Sequence, residues 1–173
     1  MVVVPKEEDL EVYYYLYKRL INPKKGMKSF LWTMFKAPQV WYSLYHSEYG
    51  PVGLCVVQLG RDAAAKEILE DGEVCYKIES TSTKKALLKY IGILPEHRRK
   101  GLGTKLMRSV IKGVKTEKFV AYVPEDSLPV QLFFRHCGWL ATGIQHRKGR
   151  EVIRFVRTGA VGSKAEEPGH TTR

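Results

Sequence analysis

Residues 87–114 read LLKYIGILPEHRRKGLGTKLMRSVIKGV, and the order of chemistries within them decides the fold. Leu87, Leu88, Tyr90, Ile91, Ile93 and Leu94 make an apolar, partly β-branched run that suits a well-buried strand, and Pro95 ends it by withholding a backbone donor. A short basic loop follows, Glu96-His97-Arg98-Arg99-Lys100-Gly101-Leu102-Gly103. Thr104 then opens a segment with Leu106, Met107, Val110, Ile111 and Val114 at helical spacing, one apolar stripe. Strand, glycine-rich basic loop and helix therefore succeed one another.

That succession is suited to an anion. The first backbone N–H groups of a helix have no intrahelical acceptor, and the helix dipole adds partial positive charge there. Gly101 and Gly103 let the backbone approach a phosphate closely, while Arg98, Arg99, Lys100 and Lys105 bring full charges beside it. The predicted ligand is a diphosphate. A nucleoside triphosphate is a poorer match, because no Gly-Lys-Ser/Thr ending follows the glycines.

Outward from this stretch, the 173 residues suit one domain with a sizeable core, and 44% hydrophobic residues is ordinary for a globular chain. The charge is not ordinary: 29 Lys and Arg against 18 Asp and Glu, formally +11. Eight basic residues against two acidic fall between Glu96 and Lys118, where phosphates would account for some of them. The rest, including Lys18, Arg19, Lys24, Lys25, Lys28 and the cluster Arg147, Lys148 and Arg150, suit solvated faces, with an acidic partner or nucleic acid as the alternative. Cys55, Cys75 and Cys137 are odd in number and lack a C-x-x-C spacing, which fits thiols in a reducing compartment rather than a disulfide framework or a zinc site. No metal is expected. No apolar run approaches a membrane span, and Met1 to Pro5 is too short for a signal segment, so the expected location is cytoplasmic.

Along the chain, Val2 to Val4 suggest a first strand, and Glu7-Glu8-Asp9 the start of an amphipathic helix running to Asn22-Pro23. A second helix is predicted over Met27 to Phe35. Val40 to His46 and Val52 to Leu59 form a hairpin. In Arg61 to Asp71, Ala63-Ala64-Ala65 and Ile68-Leu69 favour a short helix, followed by a strand over Glu73 to Ser80 and a turn over Thr81 to Lys85. Residues 61–85 read as a possible insertion. After the helix come a strand over Phe119 to Val123, a turn with Ser127, a helix from Pro129 to Gly138, and a closing hairpin of Trp139 to His146 and Glu151 to Arg157. Residues 158–173 are too polar to bury much and read as a disordered tail.

Spelled as a pattern, Arg98-x-x-Gly101-x-Gly103 resembles the R/Q-x-x-G-x-G/A signature of the GCN5-related N-acetyltransferases (GNAT). Phe134-Arg135-His136-Cys137-Gly138-Trp139 resembles their second signature, a helix ending in Tyr-x-x-x-Gly-Phe. The resemblance spans Val2 to about Arg157 and implies an α/β (α+β) domain over residues 1–157. Its expected core is a mixed, mostly antiparallel sheet of six to seven strands flanked by about four helices. It also implies an enzyme that moves an acetyl group from acetyl-coenzyme A to a primary amine by direct attack. Loop and helix would hold the carrier's pyrophosphate through Arg98, Arg99, Lys100, Gly101, Leu102, Gly103 and Thr104. Strand amides at Ile91, Gly92, Ile93 and Leu94 would pair with its pantetheine arm and polarise the thioester where the central strand splays from its neighbour, near Ile93. Ser127 and Phe134 would complete the carrier site.

Two positions depart from the pattern. Ser127 stands where Asn is common, and Phe134 where many members carry a Tyr thought to protonate the leaving thiolate. No carboxylate lies at Leu87-Leu88-Lys89, where some members keep a Glu base on the central strand, so Glu79 is the first substitute and Asp126 the next. His97 suits a surface or packing role rather than proton transfer. The alternative is the same fold, catalytically impaired, kept as a binding or structural module that uses its basic surface to bind nucleic acid or an assembly.

Overall fold

The computed structural model describes residues 2–3, 9–35, 37–60, 62, 65–70, 73–78 and 82–159. Glu79 and residues 160–173 of the expected tail lie outside them, whereas Thr158 ends the last strand and Gly159 donates its N–H to Glu117 O at 2.9 Å, so these two residues are corrected from tail to sheet. Nine strands and four helices are described: β1 (Val2–Val3), α1 (Leu10–Leu20), α2 (Met27–Phe35), β2 (Gln39–His46), β3 (Gly50–Leu59), β4 (Ala65–Glu70), β5 (Glu73–Ile78), β6 (Thr83–Ile93), α3 (Leu102–Gly113), β7 (Thr116–Pro124), α4 (Leu128–His136), β8 (Leu140–Arg147) and β9 (Arg150–Thr158).

Seven strands form one sheet in the order β1-β2-β3-β6-β7-β9-β8. Every neighbouring pair is antiparallel except β6 and β7. A parallel pair requires a crossover, and α3 supplies it. One face of the sheet is covered by α3 and α4. Leu106, Met107, Val110 and Ile111, the stripe read from the sequence, are buried there against Cys55, Val57, Leu88, Phe119 and Phe155. Burying each such side chain contributes about 1.5–3 kcal/mol, so this stripe alone fixes α3 across the sheet. On the opposite face α1 and α2 bring Tyr13, Leu16, Tyr17, Phe30 and Met34 onto Trp41, Leu54, Val56 and Leu94.

One predicted element is replaced. Ala65–Glu70 is not helical but a strand paired with β5 from Ala65↔Ile78 to Glu70↔Glu73, in a separate two-stranded sheet. The alanines favour a helix only weakly, whereas the dipeptide Asp71-Gly72 is a strong hairpin signal in sequence. The turn expected over Thr81 to Lys85 is also corrected, since β6 already begins at Thr83, which pairs with Thr116. Among the described residues no helix is long and apolar enough to cross a membrane.

Candidate active site

The parallel pairing of β6 and β7 runs from Thr83↔Thr116 to Leu87↔Val120 and stops. Both strands continue, β6 to Ile93 and β7 to Pro124, so the edges above Leu87 and Val120 part into an open gap. The gap therefore opens six residues before the expected Ile93. A bulge at Lys89, where Val56↔Tyr90 is followed by Val57↔Leu88, bends β6 at that level.

Not all four expected strand amides face this gap. Leu94 donates its N–H to Val52 O at 2.8 Å, toward β3. Along an antiparallel ladder the main-chain groups of successive residues point to alternate edges, so Gly92 faces β3 as well. Ile91 and Ile93 are left presenting N–H groups to the gap. Consistently, Ile93 O accepts Arg98 Nε at 2.9 Å rather than a β3 donor. Gly92 serves packing: a Cβ there would collide with the Tyr90 ring, whose hydroxyl reaches across to Leu20 O at 3.1 Å. Burial raises the Tyr90 pKa while the Arg98 charge pulls it down, which places that guanidinium close by.

The turn into α3 stands at the same end of the gap. Gly101 is its N-cap at φ 74° and ψ 7°, a left-handed conformation that favours glycine, and no side chain caps the helix. The first intrahelical bond runs from Lys105 N to Gly101 O at 3.1 Å, so the amides of Leu102, Gly103 and Thr104 precede the ladder. A Cβ built on Gly101 would meet nothing within 4 Å, so the space above this turn is open, and uncapped amides with open space beside them fit a diphosphate. Gly103 is needed for a different contact, because a Cβ there would lie 3.3 Å from the Phe133 ring of α4. Thr104 of α3 and Cys137, just past the end of α4, line the same shallow cleft.

The basic residues of the loop divide. Arg98 is committed to Ile93 O, closing the loop onto β6. Arg99, at φ 62°, and Lys100 are exposed, with Lys100 Nζ 4.6 Å from the Tyr49 ring centroid. Tyr49, in the β2–β3 turn, also stacks on His97 at 4.6 Å and on His46 at 4.5 Å. The packing role read for His97 is what the structure shows, and its Nδ1 is buried without a hydrogen-bond partner. Tyr49 escaped the sequence reading because its contact lies 48 positions along the chain. On the other side Arg19 reaches Glu96 at 3.0 Å, tying the end of α1 to the same loop.

Three predicted residues lie elsewhere. Phe134 is 2% exposed, its ring 4.9 Å from that of Trp139 and 5.5 Å from that of Phe155, so it is packed in the core and Phe133 is the α4 ring at the turn. Ser127 precedes α4 and is half-buried, and its carbonyl rather than its hydroxyl accepts from Gln131 N, at 3.1 Å. Asp126 is 83% exposed and 4.0 Å from Arg150. Neither the buried Cys55 thiol nor the half-buried Cys137 thiol is a ready nucleophile, since desolvation pushes both upward.

A parted parallel pair with an uncapped helix turn at its mouth has the shape and the donors that an extended, diphosphate-bearing ligand would fit. The chain belongs to the acetyltransferase (GNAT) family, whose model matches residues 8–139, and acetyl-coenzyme A is the co-substrate of that fold. Solved structures agree on the fold. A chimeric spermidine N-acetyltransferase from Vibrio cholerae and hSSAT is 16% identical, with a TM-score of 0.67 over 95% of this chain and 97% of its own. A ribosomal-protein alanine N-acetyltransferase from Escherichia coli is 16% identical, at 0.62 over 91% and 92%. An acetyltransferase from Bacillus subtilis in complex with CoA is 15% identical, at 0.61 over 91% and 97%. No curated protein sequence matches this one.

Proposed function

We propose that the protein passes the acetyl group of acetyl-coenzyme A directly to a primary amine, without an acyl-enzyme. The observation that supports this most is the meeting of two main-chain donor sets at one mouth, the amides of Leu102 to Thr104 for a diphosphate and those of Ile91 and Ile93 for a carbonyl oxygen. The exposed charges of Arg99 and Lys100 add to the first set. A neutral amine attacks the thioester carbon, a C–N bond forms, and the carbonyl π pair moves onto oxygen, where Ile91 and Ile93 donate to it. Collapse restores C=O and expels sulfur with its electron pair. The ammonium proton passes to water.

The identity of the amine follows from what must remove its proton beforehand. Deprotonating a lysine-like amine of pKa about 10.4 at pH 7 costs roughly 4–5 kcal/mol, whereas an α-amine near 8 costs about 1–1.5 kcal/mol. β6 carries Leu87, Leu88 and Lys89 where a base would stand, and Asp126 projects into solvent. An α-amine is the better fit, with Glu79 as the carboxylate to test. Of the similar structures, the ribosomal-protein alanine enzyme is named for such an acceptor and the spermidine enzyme is not.

Thiol release from acetyl-coenzyme A tests this with an alanine-terminated peptide and an Nα-blocked lysine peptide. The α-amine should be preferred, log kcat/KM should rise with unit slope up to the amine's own pKa near 8, and Glu79→Gln should leave that profile in place. A lysine preference, or a profile governed by a lower pKa and lost in Glu79→Gln, would assign a base and overturn the α-amine reading. The absence of a carboxylate at Leu87, Leu88 and Lys89 favours a second reading, a binding module, and binding of coenzyme A without turnover of any amine would leave only that.

A further inference from the structure

The face of the sheet bearing α1 and α2 is covered unevenly. These helices bury residues of β2, β3 and the end of β6, and no member of that cluster comes from β7, β8 or β9. Register puts Tyr122 of β7, half-buried, on the half of this face that α1 and α2 do not cover, since its neighbours Ala121 and Val123 belong to the opposite core; Val120 and Val152 beside it are buried. Its partner Arg154 shares the face, and so does Arg147, whose guanidinium carbon lies 3.9 Å from the Tyr122 centroid. Arg150 pairs with Arg147 across the hairpin turn. Among the described residues one ion pair reaches this trio, Arg150 with Asp126 at 4.0 Å.

The other bank is the α1–α2 connection. Between Glu11 and Glu48 the sequence holds no carboxylate and six basic residues, Lys18, Arg19, Lys24, Lys25, Lys28 and Lys36. The bonds from Tyr90 to Leu20 and from Arg19 to Glu96 seat the end of α1 at the mouth of the gap, so residues 21–26 leave from there. Lys24 and Lys25 in that connection, and Lys28 at the start of α2, are exposed.

An acceptor approaching the amides of Ile91 and Ile93 meets cations on both banks, and such a surface concentrates anions and repels polycations. Resting on the transfer reading above, we propose that the acceptor is the N-terminus of an acidic peptide, with carboxylates in the residues just after the α-amine. Arginines present a fork of N–H groups matched to carboxylates, and Arg147 lies over the Tyr122 ring, 3.9 Å from its centroid. A polyamine has the wrong charge. Nucleic acid has the right charge but no amine near pKa 8, whereas an acidic peptide supplies both.

The test uses the full chain, acetyl-coenzyme A and three alanine-terminated hexapeptides differing only at positions two to four, made acidic, neutral or basic. Expected is acidic over neutral over basic in kcat/KM, with about tenfold or more between the extremes at low salt and less at high salt. The double variant Arg147→Glu, Arg154→Glu should flatten or invert the order while its affinity for coenzyme A stays unchanged; the series on the unaltered chain stands even if that variant fails to fold. Equal rates, a basic preference, or acetylation of spermidine but of no peptide would overturn the inference and leave the transfer reading. Thiol release with no amine of any kind would overturn both. Binding of an RNA or DNA duplex that the double variant loses, with peptide charge without effect, would give this face to nucleic acid and overturn the inference.

Discussion

The two halves of the sheet are built differently. The half made of β2, β3 and β6 is packed on both faces: Cys55 and Val57 point to the α3 side, Leu54 and Val56 to the α1–α2 side, and all four are buried. The half made of β7, β9 and β8 loosens toward its edge: Val120 and Val152 are still buried on the α1–α2 side, but every residue of its edge strand β8 is exposed, Leu140 and Ile144 included. A strand buried on both faces cannot shift without disturbing two cores. The first half is therefore the fixed frame that holds Ile91, Ile93 and the α3 turn in place, and the second supplies an open face toward which chemistry can be directed. The gap between β6 and β7 is where they meet.

The contrast can be broken most severely at the turn. Gly101→Glu places a charge in open space above the uncapped amides and forces an L-residue to φ 74°, which costs about 1–2 kcal/mol. Calorimetry with coenzyme A should show at least about a hundredfold weaker binding from a protein with an unchanged circular dichroism spectrum, whereas Gly101→Asn, tolerant of that conformation, should keep most of it. Next, Leu54→Ala in the doubly packed half should cost about 2–5 kcal/mol in urea unfolding, and Leu140→Ala at the open edge under about 0.5 kcal/mol. Equal costs would abolish the distinction. Phe134→Tyr should cost about 1–3 kcal/mol, since a hydroxyl would enter the packed ring cluster, and should not speed thiol release. Faster release would mean that this position faces the leaving sulfur after all.

The smallest effect belongs to Arg19→Ala. The partly exposed pair holds the Glu96 carboxyl below its ordinary range, Glu96's own backbone contributing more than Arg19. A depressed carboxyl pKa stabilises above the unfolded value near 4.3 and loses that contribution as pH falls through the folded value. Thermal unfolding at pH 7 should shift slightly downward in the variant, and below about pH 3 the two proteins should coincide.

The order β6, basic turn, α3 could be read from residues 87–114 because each of its signals is local: a run of apolar residues, a proline, two glycines and a helical stripe. The helix boundaries of α2 and the closing hairpin were equally legible. What the sequence hid depends on partners far along the chain. Where β6 parts from β7 is set by a parallel register that no local pattern encodes, so the gap was expected at Ile93 and opens at Leu87. The alternation that removes Gly92 and Leu94 from the gap edge needs the β3 pairing to be known. Phe134 was assigned to the carrier by its motif, but the neighbouring aromatic rings of Trp139 and Phe155 draw it into the core. The helix expected over Arg61 to Asp71 rests on alanine propensity, which is weak, and the sequence itself carries the opposing signal, Asp71-Gly72.

The central claim is that main-chain amides at the start of α3 hold a diphosphate. Calorimetric titration of the full chain with coenzyme A and, separately, with pantetheine, which lacks the diphosphate and nucleotide, tests it most directly. The account predicts that coenzyme A binds and that pantetheine binds at least about a hundredfold more weakly. Equal affinities, or no binding of coenzyme A at all, would contradict it.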